Sequence, residues 1–466
     1  MIRPAAGMKF PSEVAVLVIG AGACGLVAAL AAKEAGAEVL VIERDALPSG
    51  STALSSGLIP AAATRFQAER GVADSVDAFI ADIMAKNKHG ADPAIVRVVA
   101  AGAGPAIEWL ADRHGVGFEL VEGFLYPGHD VARMHGTSRR TGQQLMGFLT
   151  AASAARGIDM LTSARVVALY AEPDGRIAGV AITRPDGSGE TIGCRALVLA
   201  CNGYGGNREL VARHIPEMAE ALYFGHAGNT GDALLWGEAL GGIGRDLGGY
   251  QGHGAVAQPH GILITWALMM EGGIQVNAAG ARFSNEHLGY SEQAAAVLAQ
   301  PDGVAFCLYD ERLHRLGGQF EDYRVAERAG AIRRAEAIED LAGGFAIPPA
   351  ALARTLAETR ALAAGRGSDP FGRDFRGKPA LAAPFYGVRV TGALFHTQGG
   401  LAVDDFARVL HRDGAAMPNL FAGGGAARGV SGATAAGYLS GNGLLTAVVL
   451  GRVAGANAAG LVLSGR

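Results

Sequence analysis

An α/β fold built on a dinucleotide-binding domain follows from three features near the start of this 466-residue chain. An apolar run, VAVLVIG, leads into the glycine pattern GAGACG. A helical stretch, LVAALAAKEAG, comes next, and a second apolar run, EVLVIE, closes on an acid.

Each element has a local cause. Val14 to Ile19 is apolar throughout and bounded by glycine, as a strand buried on both faces requires. Gly20, Gly22 and Gly25 then form G-x-G-x-x-G. Gly20 permits the tight turn, Gly22 lets a pyrophosphate approach the backbone, and Gly25 lets helix and strand pack closely. Ala23 and Cys24 lie where the helix opens, and a helix N-terminus offers free N–H groups and a positive dipole end to phosphate. The helical run Leu26 to Ala35 leads to a second strand, Glu38 to Ile42. Glu43, about twenty residues past the glycines, is placed to accept hydrogen bonds from ribose hydroxyls.

Composition narrows the function. Half the residues are apolar, 18% are charged and the net charge is −4, which describes a packed globular chain. No Lys or Arg cluster is present, so nucleic acid is not the expected partner. Cys24, Cys194, Cys201 and Cys307 form no C-x-x-C pair, so neither a disulfide framework nor a metal centre is expected. The start, MIRPAAGMKFPSE, lacks the apolar core of a secretion signal, and Val14 to Ile19 is too short to span a bilayer. A cytoplasmic protein without a membrane span is the expectation.

Further along, Arg165 to Ile192 alternates in polarity with turns at Pro173 to Gly175 and Pro185 to Gly189, the pattern of an antiparallel meander. Arg195 to Ala200 reads as another buried strand. Gly249 to Lys378 carries more Arg and Glu, with helical runs around Glu321 to Ala342 and Pro349 to Ala364. We read 1–248 as the first part of the dinucleotide domain, 249–378 as an inserted capping domain and 379–466 as the return. Asn419 to Gly424 should be a strand, and Ser440 to Gly443 should open a helix. No second G-x-G-x-x-G exists, so a built-in nicotinamide site is not expected and electrons should pass to an external acceptor.

The whole chain resembles the flavoprotein family of fumarate reductases and 3-ketosteroid dehydrogenases. The likeness is carried by RDALPSGSTALSSGLIPAAAT after Glu43, by GARFSNE (Gly280 to Glu286), by FHTQGG (Phe395 to Gly400) and by GYLSGNGLL (Gly437 to Leu445). It implies a Rossmann-type, glutathione-reductase-like FAD-binding domain with an inserted α+β capping domain. The implied FAD contacts are Glu43 and Arg44, then Ser51, Thr52, Ser55, Ser56 and Gly57. Further along they are Val166, Ala200, Asn202 and Gly203, then Asn229 and Asp232, and finally Gly424, Ser440, Asn442, Gly443 and Leu444. Asn202 stands where a glycine is commoner. The covalently flavinylated branch has a histidine in the loop after the second strand, and this chain has none, which implies non-covalent FAD.

The same resemblance locates the reacting end. Fumarate reductases carry a catalytic arginine four residues after the glutamate of their G-x-R-F-x-N-E segment, and here that place is Tyr290. The glutamate and arginine that feed it protons correspond to Trp266 and Met269, behind Thr265. A second substrate arginine corresponds to Tyr438. A substrate carboxylate buried without its arginine is an unpaired charge costing roughly 3–5 kcal/mol. Phenols instead suit a ketone oxygen, where charge develops only in the transition state.

In the ketosteroid branch a tyrosine at this place is the proton-abstracting base, which implies that role for Tyr290. Tyr438, His396 and the N–H of Gly437 are the implied carbonyl donors, with Tyr126 as a second hydroxyl that could depress the Tyr290 pKa. His396 matches the substrate histidine of fumarate reductases, whereas His253 and His260 lie at less convincing spacings. Arg282 and Glu286 read as a structural pair, and Tyr386 as a packed residue near the flavin. The expected reaction is α,β-desaturation of a ketone, a 3-ketosteroid or a smaller cyclic ketone. The alternatives are reduction of an unsaturated acid and flavin carriage without turnover.

Overall fold

The computed structural model describes residues 1–465, and two sheets organise them. In the larger, Ser12–Ile19 lies parallel between Gly189–Leu199 and Val39–Ile42, with Asp159–Leu161 beyond. Ala416–Ala422 pairs with the other side of Gly189–Leu199, so three chain segments meet above one set of strand ends. The antiparallel meander is present as Arg165–Ala171, Ile177–Thr183 and Gly189–Leu199, and is continuous with this sheet.

Helix Ala23–Glu34 covers the sheet at a spacing only glycine allows. A Cβ on Gly25 would stand 1.8 Å from the Gly20 carbonyl oxygen. Gly20 itself has φ +104, and a Cβ there would meet the Ala200 carbonyl oxygen at 2.5 Å. On the outer side lies Asn442–Leu463, where a Cβ on Gly451 or Gly455 would be 2.5 Å from the Cys24 and 2.0 Å from the Ala28 carbonyl oxygen. This helix and Pro93–His114 are long and apolar enough to cross a membrane by length and composition. In the fold, 61% and 56% of their apolar windows are buried inside the protein. They serve as core helices.

The second sheet is centred on Phe385–Thr397, which pairs antiparallel with Tyr250–Ala257, Val304–Asp310 and Ile332–Ala335. This strand lies beyond residue 379, within the stretch expected to return to the first lobe, and it pairs in the second sheet. The helical run expected over Glu321 to Ala342 is also broken. Glu321–Arg328 ends near Gly330 (φ +75), and Ile332–Ala335 joins the sheet before Ile338–Gly344. Sheet pairing outweighed a weak helical pattern there. Helix Tyr290–Leu298 lies against this sheet, where a Cβ on Gly252 would sit 2.6 Å from the Ala294 Cβ. That contact presents Tyr290, the first residue of the helix, to the space between the lobes.

Candidate active site

One continuous cleft runs between the lobes, with about 1830 Å³ of free space including its mouth.

Its first half is made by the dinucleotide motif. Gly20, Gly22, Ala23 and Cys24 line it, with Glu43 and Arg44 beyond. No side chain caps the N-terminus of Ala23–Glu34, and Thr52 Oγ1 accepts only the Ala23 N–H, at 3.1 Å. The space over Gly22 is open, the nearest atom to a Cβ there being Thr52 Oγ1 at 3.6 Å. The buried Glu43 carboxylate accepts from Ala21 N at 2.8 Å and Asp45 N at 3.0 Å, which holds it at the end of its strand. Ser51, Thr52, Ser55, Ser56 and Gly57 border the next section, as do Val166, Ala200, Asn202, Asn229 and Asp232. Asn202 has φ +65, a left-handed conformation in which Asn is several-fold enriched, so the departure from glycine is accommodated. Gly424, Ser440, Gly443 and Leu444 close this half at the uncapped start of Asn442–Leu463. A pyrophosphate-bearing flavin dinucleotide fits these groups: one uncapped helix end for the phosphates, a buried acid for the ribose, a second helix end for the ring.

Three expected cofactor contacts lie behind the wall instead. Gly25 serves the helix–strand approach already described. Gly203 is shielded by Thr397, whose Oγ1 would be 2.0 Å from its Cβ. Asn442 is fully buried and turns its side chain inward. Conversely, Phe224, His226 and Gly228 line the cleft without having been anticipated. His226 pairs with Asp45 at 2.7 Å and Asn229 donates to Ser51 at 2.8 Å, ties between segments far apart in sequence that no local motif announces.

The second half gathers Tyr126, Tyr290, Tyr438, His396 and His253, with Thr265 and Trp266. The Tyr290 ring stands 5.9 Å from that of Tyr438 and 6.5 Å from that of Tyr126, and the rings of His396 and Tyr438 are 5.7 Å apart. His253 stacks directly on Tyr290; its spacing in sequence underrated it. His260 is exposed and lies outside the cleft. Tyr386 is also elsewhere, donating to Glu311 at 2.5 Å and stacked on His314.

Gly437 does not line the cleft. Its N–H is donated to the Thr434 carbonyl at 3.2 Å, and a Cβ would be 1.9 Å from the Ser431 carbonyl oxygen. The residue is a glycine for packing, and the expected carbonyl donor is absent from that position.

Charge is the informative property of this end. Among the described residues the cations lining the cleft are Arg44 and Arg165, both in the dinucleotide half. Arg282 is committed to Glu286, at 2.7 and 2.9 Å, and to Asp369 at 2.5 Å, while Arg373 pairs with Glu286 at 3.0 Å. The two histidines are neutral as well. Burial pushes His253 down to about 3 and His396 down to about 4.

Their tautomers follow from their partners. His253 Nδ1 accepts from Ala255 N at 3.1 Å, leaving the proton on Nε2. Ser431 donates to Gln398 Oε1 at 2.7 Å, which orients that amide. Gln398 Nε2 then donates to His396 Nδ1 at 3.1 Å, a closer contact than the Thr397 carbonyl at 3.3 Å. Asn442 Nδ2 begins the chain by donating to Ser431 at 3.1 Å. The sequence Asn442, Ser431, Gln398, His396 thus leaves an N–H on His396 Nε2. Asn442 acts through this relay.

Tyr290 departs from expectation in one respect. Burial raises its pKa well above 10, Tyr438 and Tyr126 act in the same direction, and only the Ser440 hydroxyl works against them. Burial likewise raises Tyr126, to about 12, and Tyr438. Tyr126 therefore does not depress the Tyr290 pKa, because a second phenol in an apolar wall brings no positive charge.

A sequence-family profile described as FAD binding domain matches residues 15–444, and the chain belongs to that family. The protein is an FAD-dependent oxidoreductase of the class acting on CH–CH bonds. It is 31% identical over 452 residues to the probable fumarate reductase Ifc3 of Shewanella frigidimarina, covering 96% of this chain and 75% of that protein. It resembles the open conformation of a flavocytochrome c3 fumarate reductase, with a TM-score of 0.81 at 30% identity over 98% of this chain and 80% of that one. It also resembles the 3-ketosteroid-Δ4-(5α)-dehydrogenase of Rhodococcus jostii RHA1 bound to 4-androstene-3,17-dione. There the TM-score is 0.78 at 26% identity, over 98% and 99% of the two chains.

Proposed function

We propose that this protein carries out α,β-desaturation of a neutral ketone, and its reverse, a 3-ketosteroid or a smaller cyclic ketone being the substrate. The observation carrying this reading is the composition of the reacting end: three phenols, two uncharged imidazoles and an indole, with no cation among the described residues lining it. A dicarboxylate desolvated there would lack a counter-charge, whereas a carbonyl oxygen needs only neutral donors.

FAD, held by the Gly20–Cys24 turn, Glu43 and the start of Asn442–Leu463, would supply the two-electron, hydride-accepting chemistry. The protein's own groups do the rest. The Tyr438 hydroxyl and the His396 and His253 Nε2–H groups are the available donors for the carbonyl oxygen, and their polarisation acidifies the α C–H. The Tyr290 oxygen takes the α-proton in desaturation and returns it in reduction. The Ser440 hydroxyl acts against burial in lowering the Tyr290 pKa, and would steady the charge that oxygen acquires. Trp266, Phe395 and Leu263 keep water from the reacting carbons. Protonated at rest, Tyr290 is set as an acid, so desaturation requires the proton to leave it first. We assign non-covalent FAD, an external acceptor and a cytoplasmic location to the same reading.

The test is anaerobic reduction of the bound flavin by a panel of saturated cyclic ketones and steroid ketones, with fumarate and other enoic acids offered to the dithionite-reduced protein. Bleaching by a ketone is expected. Reoxidation by fumarate at a kcat/KM matching the best ketone or enone would replace this reading with an acid reductase.

A further inference from the structure

His129 takes no part in the chemistry described above, yet it connects two sides of the reacting end. It lies in the stretch between Phe118–Leu120 and Met134–Thr137, which has no regular structure, and it is 6% exposed. Within that stretch Tyr-Pro-Gly-His, residues 126 to 129, forms a β-turn. The His129 N–H donates to the Tyr126 carbonyl at 3.2 Å, and Gly128 has φ +83. Proline second and a left-handed glycine third are what a type II turn demands. The phenol of Tyr126 and the imidazole of His129 are therefore the two ends of one rigid turn.

Across the cleft wall the turn meets the segment carrying Tyr438 and Ser440. His129 Nε2 lies 3.0 Å from the Ser440 carbonyl oxygen. Carbonyl oxygens only accept, so the proton is on Nε2. The contact is also tight sterically: a Cβ on Gly128 would be 2.5 Å from Leu439 Cδ1. Behind, the imidazole stacks on Phe79 of helix Val76–Lys86, with ring centroids 6.3 Å apart and an interplanar angle of 30°. The ring is thus fixed on one side by packing and on the other by one directed hydrogen bond. Burial holds its pKa down to about 4, so the ring stays neutral at physiological pH.

We propose that His129 is a positioning residue that clamps the Tyr126 turn to the Leu439–Ser440 segment, setting the spacing of the hydroxyls around Tyr290. The physical need is plain. Tyr126 stands on an irregular loop and Ser440 on the turn before a helix, and neither segment by itself fixes its distance from the other. The proposal rests on the reading that these hydroxyls surround the proton-transferring phenol.

The test compares two variants of the full, FAD-loaded chain. His129→Phe keeps the stack on Phe79 and removes the donor; His129→Gln returns an N–H near the Nε2 position. In His129→Phe, amide exchange in 121–131 and 437–441 should accelerate by about tenfold as the clamp opens locally. Its kcat should fall by about a hundredfold with KM changed little, since misplacement of about 1 Å can have that effect. FAD content should not change, and His129→Gln should recover both properties. Unchanged exchange in His129→Phe, or a His129→Gln no better than it, overturns the clamp. Should His129→Phe fail to fold, imidazole nitrogen NMR of the native protein decides: a proton on Nδ1 overturns it. Failure of the ketone reading is distinguishable, because native protein would then turn over no ketone while the exchange response persisted.

Discussion

His253 stacks on Tyr290 with ring centroids 4.8 Å apart and planes inclined by 22°. A protonated imidazole in that place would stabilise a phenolate. Full burial instead keeps the histidine neutral, and the same burial raises the phenol. The pair is an uncharged stack, and the reacting end as a whole is a polarisable, apolar chamber. The following outcomes are expected.

Tyr290→Phe removes one oxygen and leaves the stack on His253. The purified variant should retain FAD and lose ketone turnover by about 10²–10⁴-fold, the usual contribution of a positioned acid or base. Steady-state rates with an artificial acceptor measure this, and near-native turnover would take the phenol out of the mechanism.

Desaturation should quicken with rising pH. The Tyr290 pKa lies above 10, so each unit of pH below it leaves about tenfold less of the proton-accepting form. The oxidative rate should climb through pH 9, whereas reduction of an enone, which uses the protonated phenol, should stay level over that span. A pH–rate profile in both directions checks the sign.

Stability should fall on the acid side. His253 is lowered to about 3, and His129, His135 and His396 to about 4, against about 6.5 unfolded. The unfolded chain binds more protons between these values, so stability is full above about pH 6.5 and declines toward pH 4. Melting temperature measured from pH 7.5 to 5 should drop, and His396→Gln should shallow the slope by about one proton's share.

Acid precipitation should release all flavin into the supernatant, because the loop from Arg44 to Thr64 contains no histidine to hold it covalently. Flavin remaining with the pellet would contradict this.

Gln398→Leu should act through His396. Removing the amide frees Nδ1 to take the proton and turn toward the Thr397 carbonyl, withdrawing the Nε2–H from the cleft. Loss of one such donor to a developing oxyanion is worth about 10²-fold in rate. FAD content should be unchanged, and an unaffected kcat would show that His396 does not need this relay.

The dinucleotide half was legible because its logic is local. Glycines at positions 20, 22 and 25 act within one strand–turn–helix, and their spacing states their purpose. Tyr290 and Tyr438 were legible through a family segment. His253 was not, because its place depends on a bulged strand meeting the start of a helix some forty residues away. Gly437 misled for the complementary reason: a glycine at a familiar place need not offer its N–H, and here Thr434 takes it.

What the sequence alone determined is the cradle for the dinucleotide and the absence of arginine where an anion clamp would stand. The fold decided which neutral groups replaced it, the tautomers they hold and the height of the Tyr290 pKa. Chain order records which residues are present, whereas pKa, tautomer and register depend on what surrounds each group in three dimensions. Burial between two lobes supplies those surroundings only once distant segments have closed together.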